Sequence, residues 1–331
     1  MGLHPAVAAV RQGVRRYLNG LDRGMTVLVA CSGGADSLAL LSATIFEGQK
    51  AGLRVIGATV DHGLQVGSAD HAGRVVLQMA ALGADETASI RVQVDPAGLG
   101  VEAAARRARY EVLGQLREHF DAKSVLLGHT RDDQAETVLL GLARGSGARS
   151  IAGMRRSFEH YDRPLLDVAR ADTVAACLAE GIEFWDDPHN DDPVFARVRV
   201  RQRVLPVLED ELGPGIAATL ARTADQIRDD VEALDAIARS AYEAMVSTSS
   251  TNGTSVDLGE LDEVPRAVAT RVLRLAALAA GARDAELFHV HVTALHQLAL
   301  GAISGEVQLP GHVTAYRDRS HLRFRPTAVA G

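Results

Sequence analysis

Short apolar runs alternate with longer amphipathic segments over residues 1–145 of this 331-residue chain. Four runs are rich in Val, Ile and Leu, and they occupy residues 25–30, 53–60, 89–94 and 124–129. The segments that follow them have the apolar spacing of helices, at residues 37–49, 68–82, 101–120 and 132–144. Apolar runs of this length between helical segments predict βαβ units. We therefore predict an α/β fold, with a Rossmann-like parallel sheet that carries helices on both faces.

The pattern changes near residue 145. Residues 145–195 are predicted to be rich in loops, with one short helix at 172–180. Apolar residues at steps of three and four then predict helices at residues 215–246, 266–280 and 290–300. A loop is predicted at 247–255, and short strands around a Pro-Gly turn are predicted at the C-terminus. We place the domain boundary between Pro206 and Pro214, which predicts a catalytic domain of residues 1–210 and a smaller, mainly helical domain of residues 211–331.

Composition excludes several classes of protein. No uncharged apolar run reaches the roughly 18 residues that a membrane-spanning helix needs, and the N-terminus lacks a secretory signal pattern. We therefore expect a cytoplasmic protein with no membrane contact. Two cysteines, Cys31 and Cys177, are too few for a disulfide framework or a zinc ribbon. Neither Lys50 nor Lys123 follows a glycine, which excludes a Walker A loop.

The net charge of −7 argues against a protein that coats nucleic acid non-specifically. It remains compatible with a local basic surface on an acidic body. Because a Walker A lysine is absent, any phosphate must be held by backbone amides, hydroxyl groups or arginine.

The strongest chemical signal is the segment Ser32-Gly33-Gly34-Ala35-Asp36-Ser37, which follows the first predicted strand and begins the first helix. Two glycines allow a tight turn with bare backbone amides, and the N-terminus of a helix favours an anion. The hydroxyl groups of Ser32 and Ser37 can donate to phosphate oxygens, whereas Asp36 suits a Mg²⁺ ion that bridges phosphates. The alternative is a strand-to-helix turn that is capped by Ser or Asp and binds no ligand.

A second polar cluster follows the fourth predicted strand, at the sheet edge where open α/β folds bind ligands. It contains Asp132, Asp133 and Glu136, and His129 precedes it. Asp133 and Glu136 are three residues apart, so they share one face of a helix. Two carboxylates suit a cationic substrate, and one of them could accept a proton from its ammonium group. The alternative is a capping box, which stabilises a helix start by about 1 kcal/mol without a ligand.

Four arginines alternate with other residues late in the first domain, and we call Arg197, Arg199, Arg201 and Arg203 the arginine stripe. In an extended segment all four side chains would project to one side, where they could bind the phosphates of a nucleic acid. The alternative is a solvated edge strand that its charges protect from aggregation.

The segment from Ser32 to Ser37 resembles the PP-loop of the N-type ATP pyrophosphatases, which cleave ATP between the α and β phosphates and transfer AMP onto an oxygen. Further motifs narrow the resemblance to the tRNA(Ile)-lysidine synthetase family. These motifs are VDHGL at 60–64, EAAARRARY at 102–110, HTRDDQAET at 129–137, RGSG at 144–147 and RPLL at 163–166. The second domain is similar to that family in placement, and only weakly similar in sequence.

The resemblance implies a two-step reaction on the CAU anticodon of an isoleucine tRNA. The C2 oxygen of the wobble cytidine attacks the α-phosphate of ATP, and pyrophosphate leaves. The ε-amine of free L-lysine then attacks C2, and AMP leaves. The second domain is expected to recognise the tRNA, and the oligomeric state is left open, with a homodimer as one option.

The resemblance also implies roles for individual residues. ATP is expected to contact Ser32, Gly33, Gly34, Ala35, Asp36, Ser37, His62 and His129, with Mg²⁺ on Asp36. Catalytic roles are implied for Asp36, Arg109, Asp133, Glu136 and Arg201. Arg109 could instead be a solvated helix arginine, and His62 fits a core or surface histidine equally well. The chain departs from the family pattern at Val198, where the family usually has Asn, and in the stretch Asp187-Pro188-His189-Asn190.

Three alternative functions are weighed against this one. A PP-loop enzyme of tRNA thiolation would have additional cysteines, often in C-x-x-C pairs, which this chain lacks. An amide-forming ligase that adenylates a carboxylate would lack the Asp-Asp-Gln-x-Glu-Thr block at 132–137. A nucleotide sensor without catalysis would release no pyrophosphate when mixed with ATP and substrate.

Overall fold

A computed structural model describes residues 2–61, 63, 67–92, 101–145, 147–187, 191–249 and 253–327 of the chain. These residues form two compact units. The first unit contains Met1–Ala143 and Gly153–Ala224, and the second contains Arg144–Ala152 and Asp225–Gly331. The division of roles between residues 1–210 and 211–331 stays a prediction.

Parallel strands form the centre of the first unit. Along the chain they are β1 (Thr26–Ala30), β2 (Arg54–Asp61), β3 (Glu86–Arg91), β4 (Ala122–Leu126), β5 (Ser157–Phe158) and β6 (Tyr161–Asp162). Within the described residues they make one sheet in the order β3-β2-β1-β4-β6-β5. Only the short β5 is antiparallel to its neighbour. The predicted α/β fold with a parallel sheet is confirmed.

Helices occupy most of the remaining chain. In order they are α1 (Pro5–Leu18), α2 (Ala35–Ala51), α3 (Ser68–Ala81), α4 (Val101–His119), α5 (Arg131–Arg144), α6 (Ala148–Ile151), α7 (Arg170–Glu180), α8 (Ala196–Arg199), α9 (Leu205–Glu211), α10 (Ile216–Met245), α11 (Leu258–Asp262), α12 (Arg266–Ala279) and α13 (His289–Ala299). The helices predicted in the first domain correspond to α2, α3, α4, α5 and α7, whereas α1 was not predicted. A π-helical stretch, Val200–Val204, joins α8 to α9.

The central strand β1 is buried on both faces, as its unbroken apolar sequence predicted. Val27 and Val29 share one core with residues of α1, α2 and α7. Leu28 points to the opposite face and joins a second core with residues of α4. Because successive strand residues alternate between faces, one short segment anchors both layers of helices.

Gly128 allows the end of β4 to approach the start of α2 closely. A Cβ atom at Gly128 would lie 3.0 Å from the backbone oxygen of Asp36 and 3.1 Å from the Cα of Ser37. Only a residue without a side chain fits there without displacing backbone. This approach brings the Gly-rich segment and the carboxylate cluster, which are far apart in the sequence, to the same edge of the sheet.

The second unit combines helices with antiparallel strands. The strands are β7 (Val246–Ser249), β8 (Gly253–Asp257), β9 (Glu306–Leu309), β10 (Val313–Asp318) and β11 (His321–Pro326). Within the described residues they form one sheet in the order β7-β8-β11-β10-β9. Buried residues of α12 and α13, including Leu273 and Leu295, pack against strand residues such as Phe324.

The loop predicted at 247–255 was wrong for residues 247–249 and 253–255, because β7 and β8 pair as antiparallel strands, whereas residues 250–252 lie outside the described residues. Val246 lies opposite Val256, and Val256 is completely buried. The many Ser and Thr residues of this segment suggested a loop, but Thr favours strands when a partner strand is available. None of the helices in the described part of the chain is long and apolar enough to cross a membrane.

We predict that Gly128→Ala destabilises the first unit by about 1–3 kcal/mol, because the added methyl group meets backbone that has to move. Gly73→Ala is the matched control, since Gly73 lies within α3 and a Cβ there would have nothing within 4 Å. The control should gain up to about 1 kcal/mol from higher helix propensity. Urea unfolding of both variants tests the prediction, and equal stability of the two would contradict it.

Candidate active site

The Gly-rich segment forms a tight turn between β1 and α2. Gly33 has φ of +86°, a conformation that glycine adopts without steric cost. Gly34 is the N-cap of α2, and it has no side chain that could accept a hydrogen bond from the first turn. Ser37 closes the turn, because its Oγ donates to the Gly34 carbonyl at 2.9 Å and accepts from the Ser32 amide at 3.1 Å.

This turn leaves backbone donors available at a helix N-terminus. Among the described residues, nothing accepts a hydrogen bond from the amides of Gly33, Gly34 or Ala35. The side chain of Ser32 is exposed beside them. Amides in this arrangement bind anions, and the dipole of the helix adds to the attraction. The loop therefore has the geometry of a phosphate site, and the binding of ATP by these residues stays a prediction.

The carboxylate cluster lies at the start of α5. This helix begins at Arg131, so Asp133 is its third residue and Thr130 is the N-cap. One oxygen of Asp133, Oδ2, accepts from the Thr130 amide at 2.8 Å and from the Thr130 hydroxyl at 2.9 Å. The other, Oδ1, accepts from Arg170 at 2.7 Å. Asp133 therefore caps the helix with one oxygen and faces the candidate site with the other.

Arg170, on the first turn of α7, joins the two predicted sites. Its Nε donates to Oδ2 of Asp36 at 3.3 Å, its Nη1 to Oε1 of Glu136 at 3.1 Å, and its Nη2 to Asp133. Its backbone amide donates to Oδ2 of Asp132 at 2.8 Å. One guanidinium group thus contacts carboxylates from both α2 and α5.

Arg201 and Arg197 also contact the cluster, through Glu136 and Thr137. Arg201 donates to both oxygens of Glu136, at 2.7 Å from Nε and 3.2 Å from Nη2. Arg197 lies 3.5 Å from Oε2 of Glu136 and donates to Oγ1 of Thr137. Glu136 has no solvent exposure. Its carboxylate is therefore enclosed by the arginines and has no contact with solvent, and its catalytic role stays a prediction.

The extended arrangement considered for the arginine stripe was wrong, because these residues are helical. In a helix, Arg197 and Arg201 are four residues apart and share a face, which is the face toward Glu136. Arg199 is exposed and donates to the carbonyls of Pro193 and Val194, both at 2.7 Å. Arg203 is also exposed. The stripe is therefore divided between the candidate active site and the surface.

The charges in the cluster shift several pKa values. Burial raises the pKa of Asp36, although Arg170 and the hydroxyl of Thr173 oppose this effect. Burial alone would raise the pKa of Asp133 as well, but the charge of Arg170, the hydrogen bond from the Thr130 amide and further nearby groups together outweigh burial and hold that pKa below its usual value. Asp133 therefore remains a carboxylate at neutral pH.

His129 and Arg109 adjoin the cluster. Burial lowers the pKa of His129, so its imidazole is neutral at neutral pH, and its Nδ1 accepts from Nε of Arg163 at 3.3 Å. The charge of Arg109 lies close enough to contribute to that shift. Burial also lowers the pKa of Arg109 itself. The structure thus brings these two predicted residues to the cluster, whereas His62 and the Pro188-His189 departure lie outside the described residues.

Asp36 fits a magnesium ion that is shared with phosphates. Within the described part of the chain, no three His, Cys, Asp or Glu side chains converge as a metal cage. Mg²⁺ at phosphate sites usually takes one or two carboxylates, and the phosphates and water supply its other ligands. The side chain of Asp36 is 25% exposed and stands at the N-terminus of α2, next to the phosphate-binding turn. Its role as a metal ligand stays a prediction.

Sequence reasoning missed Arg170 and Thr173. Arg170 lies four residues after the RPLL motif, at the start of a helix that was predicted to begin at residue 172. Thr173 is fully buried, and its hydroxyl donates to Asp36. No local pattern marks either residue, because both gain their partners from α2 and α5. The proximity of Arg170 to RPLL was the one available signal.

Comparison with known proteins is consistent with this geometry. A model of the PP-loop domain matches residues 8–208. The tRNA(Ile)-lysidine synthase of Thermobifida fusca is 51% identical over 321 residues, which cover 97% of each chain. The enzyme of the same name from Streptomyces coelicolor is 46% identical, covering 98% of this chain and 99% of its own.

The chain belongs to the tRNA(Ile)-lysidine synthase family. Its first unit has the PP-loop fold that the family model describes. Among solved structures, the U34-tRNA thiolase of Methanococcus maripaludis is similar with a TM-score of 0.57 and 16% identity, covering 67% of this chain and 79% of its own. At that identity the similarity concerns the fold alone.

We predict that Arg170→Gln lowers the free energy of unfolding by about 3–5 kcal/mol at neutral pH, because it removes the closest ion-pair partner of the buried Asp133 carboxylate. Arg170 lowers the pKa of Asp133, so this stabilisation is present above the unfolded carboxyl pKa of about 4 and is lost as the pH falls through the lower folded value. The difference between variant and wild type should therefore shrink near pH 3, at about which unfolded carboxyls are mostly protonated. Urea unfolding at both pH values tests this, with the exposed Arg107→Gln as control. A pH-independent difference would contradict it.

Proposed function

We propose that the chain ligates free lysine to C2 of the wobble cytidine in the CAU anticodon of an isoleucine tRNA, at the expense of ATP. The observation that carries this proposal is the shared contact of Asp36, Asp133 and Glu136 with Arg170. It brings a phosphate-binding helix N-terminus and a carboxylate cluster into one site. The reaction needs both, because it activates an oxygen with ATP and then uses an amine. Membership of the tRNA(Ile)-lysidine synthase family supports the same reaction.

In the first step the cytidine O2 attacks the α-phosphate, a new O–P bond forms, and the bond to pyrophosphate breaks. The amides of Gly33, Gly34 and Ala35 and the hydroxyl of Ser32 hold the phosphates for this displacement. Mg²⁺, bound through Asp36, would neutralise part of the phosphate charge. Positioning and charge stabilisation account for most catalysis of such transfers, so the protein needs no covalent intermediate.

In the second step the ε-nitrogen of lysine bonds to C2, and the C2–O bond to AMP breaks. Lysine arrives as an ammonium ion, which passes one proton to solvent water before the free amine attacks. Asp133, whose pKa is held low, binds that ammonium as a carboxylate. Glu136 is completely buried, so it positions Arg201 and Arg170 instead of touching lysine. Arg109 and the neutral His129 adjoin the same cluster, and we propose that both contact the substrates there.

We propose that the second unit contributes to tRNA recognition. Specific protein–nucleic acid interfaces are large, and an anticodon base has to be unstacked to react. Arg266 is one of several exposed arginines in this unit. Arg271 and Arg274 are held within the unit, since Arg271 donates to Asp235 and Arg274 to Asp284. Arg266 is therefore a better candidate for a phosphate contact than Arg271 or Arg274.

A thiolation reaction is less well supported, despite the shared fold. Both cysteines of the chain, Cys31 and Cys177, are buried, and burial raises the pKa of each thiol to about 12. Such thiols do not form the reactive thiolates that sulfur transfer needs. The ligation of lysine requires no cysteine. We also propose a cytoplasmic location, where tRNA, ATP and free lysine occur together, whereas a homodimer stays a prediction.

The decisive experiment measures the mass of an isoleucine tRNA with a CAU anticodon before and after incubation with the protein, ATP, Mg²⁺ and lysine. We expect the tRNA to gain the mass of lysine less one water, and pyrophosphate and AMP to appear in equal amounts. Reactions that lack lysine should form pyrophosphate, but the tRNA should not gain the mass of lysine less one water. An unchanged tRNA in the complete reaction would refute the proposal.

We predict that Asp133→Asn impairs the use of lysine more than the use of ATP, because it removes the charge that faces the ammonium. An Asn side chain retains an oxygen that can accept from Thr130, so the helix cap is preserved. We expect the KM for lysine to rise about tenfold or more, because a hydrogen bond to a charged group contributes more than one between neutral groups. Asp172→Asn, which removes a carboxylate from α7, is the control. An equal loss in pyrophosphate release and lysine transfer would indicate a purely structural role.

We predict that Arg203→Gln weakens tRNA binding without changing the chemistry, whereas Arg201→Gln changes the chemistry. Each phosphate contact adds about 0.7–0.9 to the slope of log affinity against log salt concentration. Arg203→Gln should lower this slope by about that amount, because the residue is exposed. Arg201→Gln should leave the slope nearly unchanged, since Arg201 pairs with Glu136. Filter binding over a range of salt concentrations distinguishes the two, and a reversed result would contradict the assignment.

A further inference from the structure

Two carbonyl groups of the phosphate-binding turn are held by residues outside the turn. His71 on α3 lies with its Nε2 2.9 Å from the carbonyl oxygen of Ser32. The backbone amide of Trp185 donates to the carbonyl oxygen of Gly33, also at 2.9 Å. Because a carbonyl oxygen only accepts, the Nε2 of His71 carries the hydrogen in this contact.

Each of these contacts fixes the direction of an amide on the other side of the chain. The described peptide bonds are all trans, so the C=O of one residue and the N–H of the next point in opposite directions within one plane. Holding the Ser32 carbonyl therefore aims the Gly33 amide, and holding the Gly33 carbonyl aims the Gly34 amide. Both amides have no acceptor among the described residues, and both belong to the proposed phosphate site.

The two outer contacts support one another. The rings of His71 and Trp185 pack with their centroids 3.9 Å apart at an angle of 43°. Gly33 permits this approach, because a Cβ atom there would lie 2.9 Å from Cε1 of His71 and 2.7 Å from Cγ2 of Val75. Two turns further along α3, Gln78 donates to the carbonyl of Glu183, near Trp185. The helix and the Trp185 segment thus form a common support for the turn.

We propose that His71 is a positioning residue for ATP, and that its N–H, with the ring of Trp185 packed against it, orients the phosphate-binding amides of Gly33 and Gly34. His71 touches the carbonyl face of the turn and acts on the phosphates through the peptide plane. This inference rests on the proposed function for the identity of the anion as ATP. Its direct consequence is that loss of one hydrogen-bond donor on α3 weakens nucleotide binding while lysine binding is unaffected.

The experiment compares three variants of the full chain by isothermal titration calorimetry with Mg²⁺ and ATP, in the absence of tRNA and lysine. His71→Phe keeps an aromatic ring against Trp185 and removes the donor. His71→Gln keeps an N–H at about the reach of Nε2. Leu77→Ala, on the same helix and 72% exposed in the wild type, is the matched control.

We expect His71→Phe to raise the Kd for ATP roughly tenfold, which is the upper range for one hydrogen bond that preorganises a binding site. We expect His71→Gln to bind within about twofold of wild type, and Leu77→Ala to bind like wild type. Trp185 is the single tryptophan, so the change in its fluorescence on addition of ATP gives an independent readout beside the turn. The KM for lysine should not change in any of the three.

Two results would overturn the inference. The first is normal ATP affinity in His71→Phe. The second is an equal loss in His71→Phe and His71→Gln accompanied by a lower Tm in both, which would show that the imidazole only fills space. The test is separate from that of the proposed function. If the tRNA gains no lysine but ATP binding follows the expected order, the proposed function fails and the positioning role of His71 stands.

Discussion

The ion pairs of Arg170 with three carboxylates hold the candidate site together. Asp36 comes from α2, Asp133 and Glu136 come from α5, and Arg170 itself begins α7. A guanidinium group has five N–H donors in a rigid plane, so it can donate to several carboxylates at once. The ammonium group of a lysine is a compact charge with rotatable donors and does not fix these directions. The backbone amide of Arg170 is also bound, by Asp132. This one residue therefore links the Gly-rich turn to the carboxylate cluster.

The negative and positive charges of these paired side chains are also equal in number. Three carboxylates, of Asp36, Asp133 and Glu136, face the guanidinium groups of Arg170, Arg197 and Arg201. Ions that are removed from water need nearby opposite charges, and Glu136 is completely buried. This requirement explains why two arginines of the stripe turn inward while Arg199 and Arg203 stay at the surface. Of the three carboxylates, those of Asp36 and Asp133 are more exposed than that of Glu136, which is why the proposed cation contacts involve them.

The phosphate-binding turn depends on contacts to its outer side as much as on its own glycines. Gly33 supplies the positive φ and the space for His71, and Gly34 leaves the helix N-terminus uncapped by a side chain. Hydrogen bonds to the carbonyls of Ser32 and Gly33 then hold the peptide planes. A preorganised set of donors loses less entropy on binding an anion than a mobile loop would. The turn and the parts of the fold behind it therefore work as one element.

Local sequence patterns were enough to predict the alternation of strands and helices, the parallel sheet, and the two segments that are proposed to carry the chemistry. These features follow from local causes: apolar periodicity, glycine at a strand-to-helix turn, and polar residues just after a strand. The antiparallel pairing of β7 with β8 and the helical form of the arginine stripe were decided by tertiary contacts, because Ser, Thr and alternating charges have no strong local preference. The same holds for Arg170, which meets Asp36 across 134 positions of the chain, and for His71, which meets Trp185 across the turn. Nothing in the local sequence around these residues names their partners, since only the packing of α2, α3, α5 and α7 around one sheet edge brings the groups within hydrogen-bonding distance.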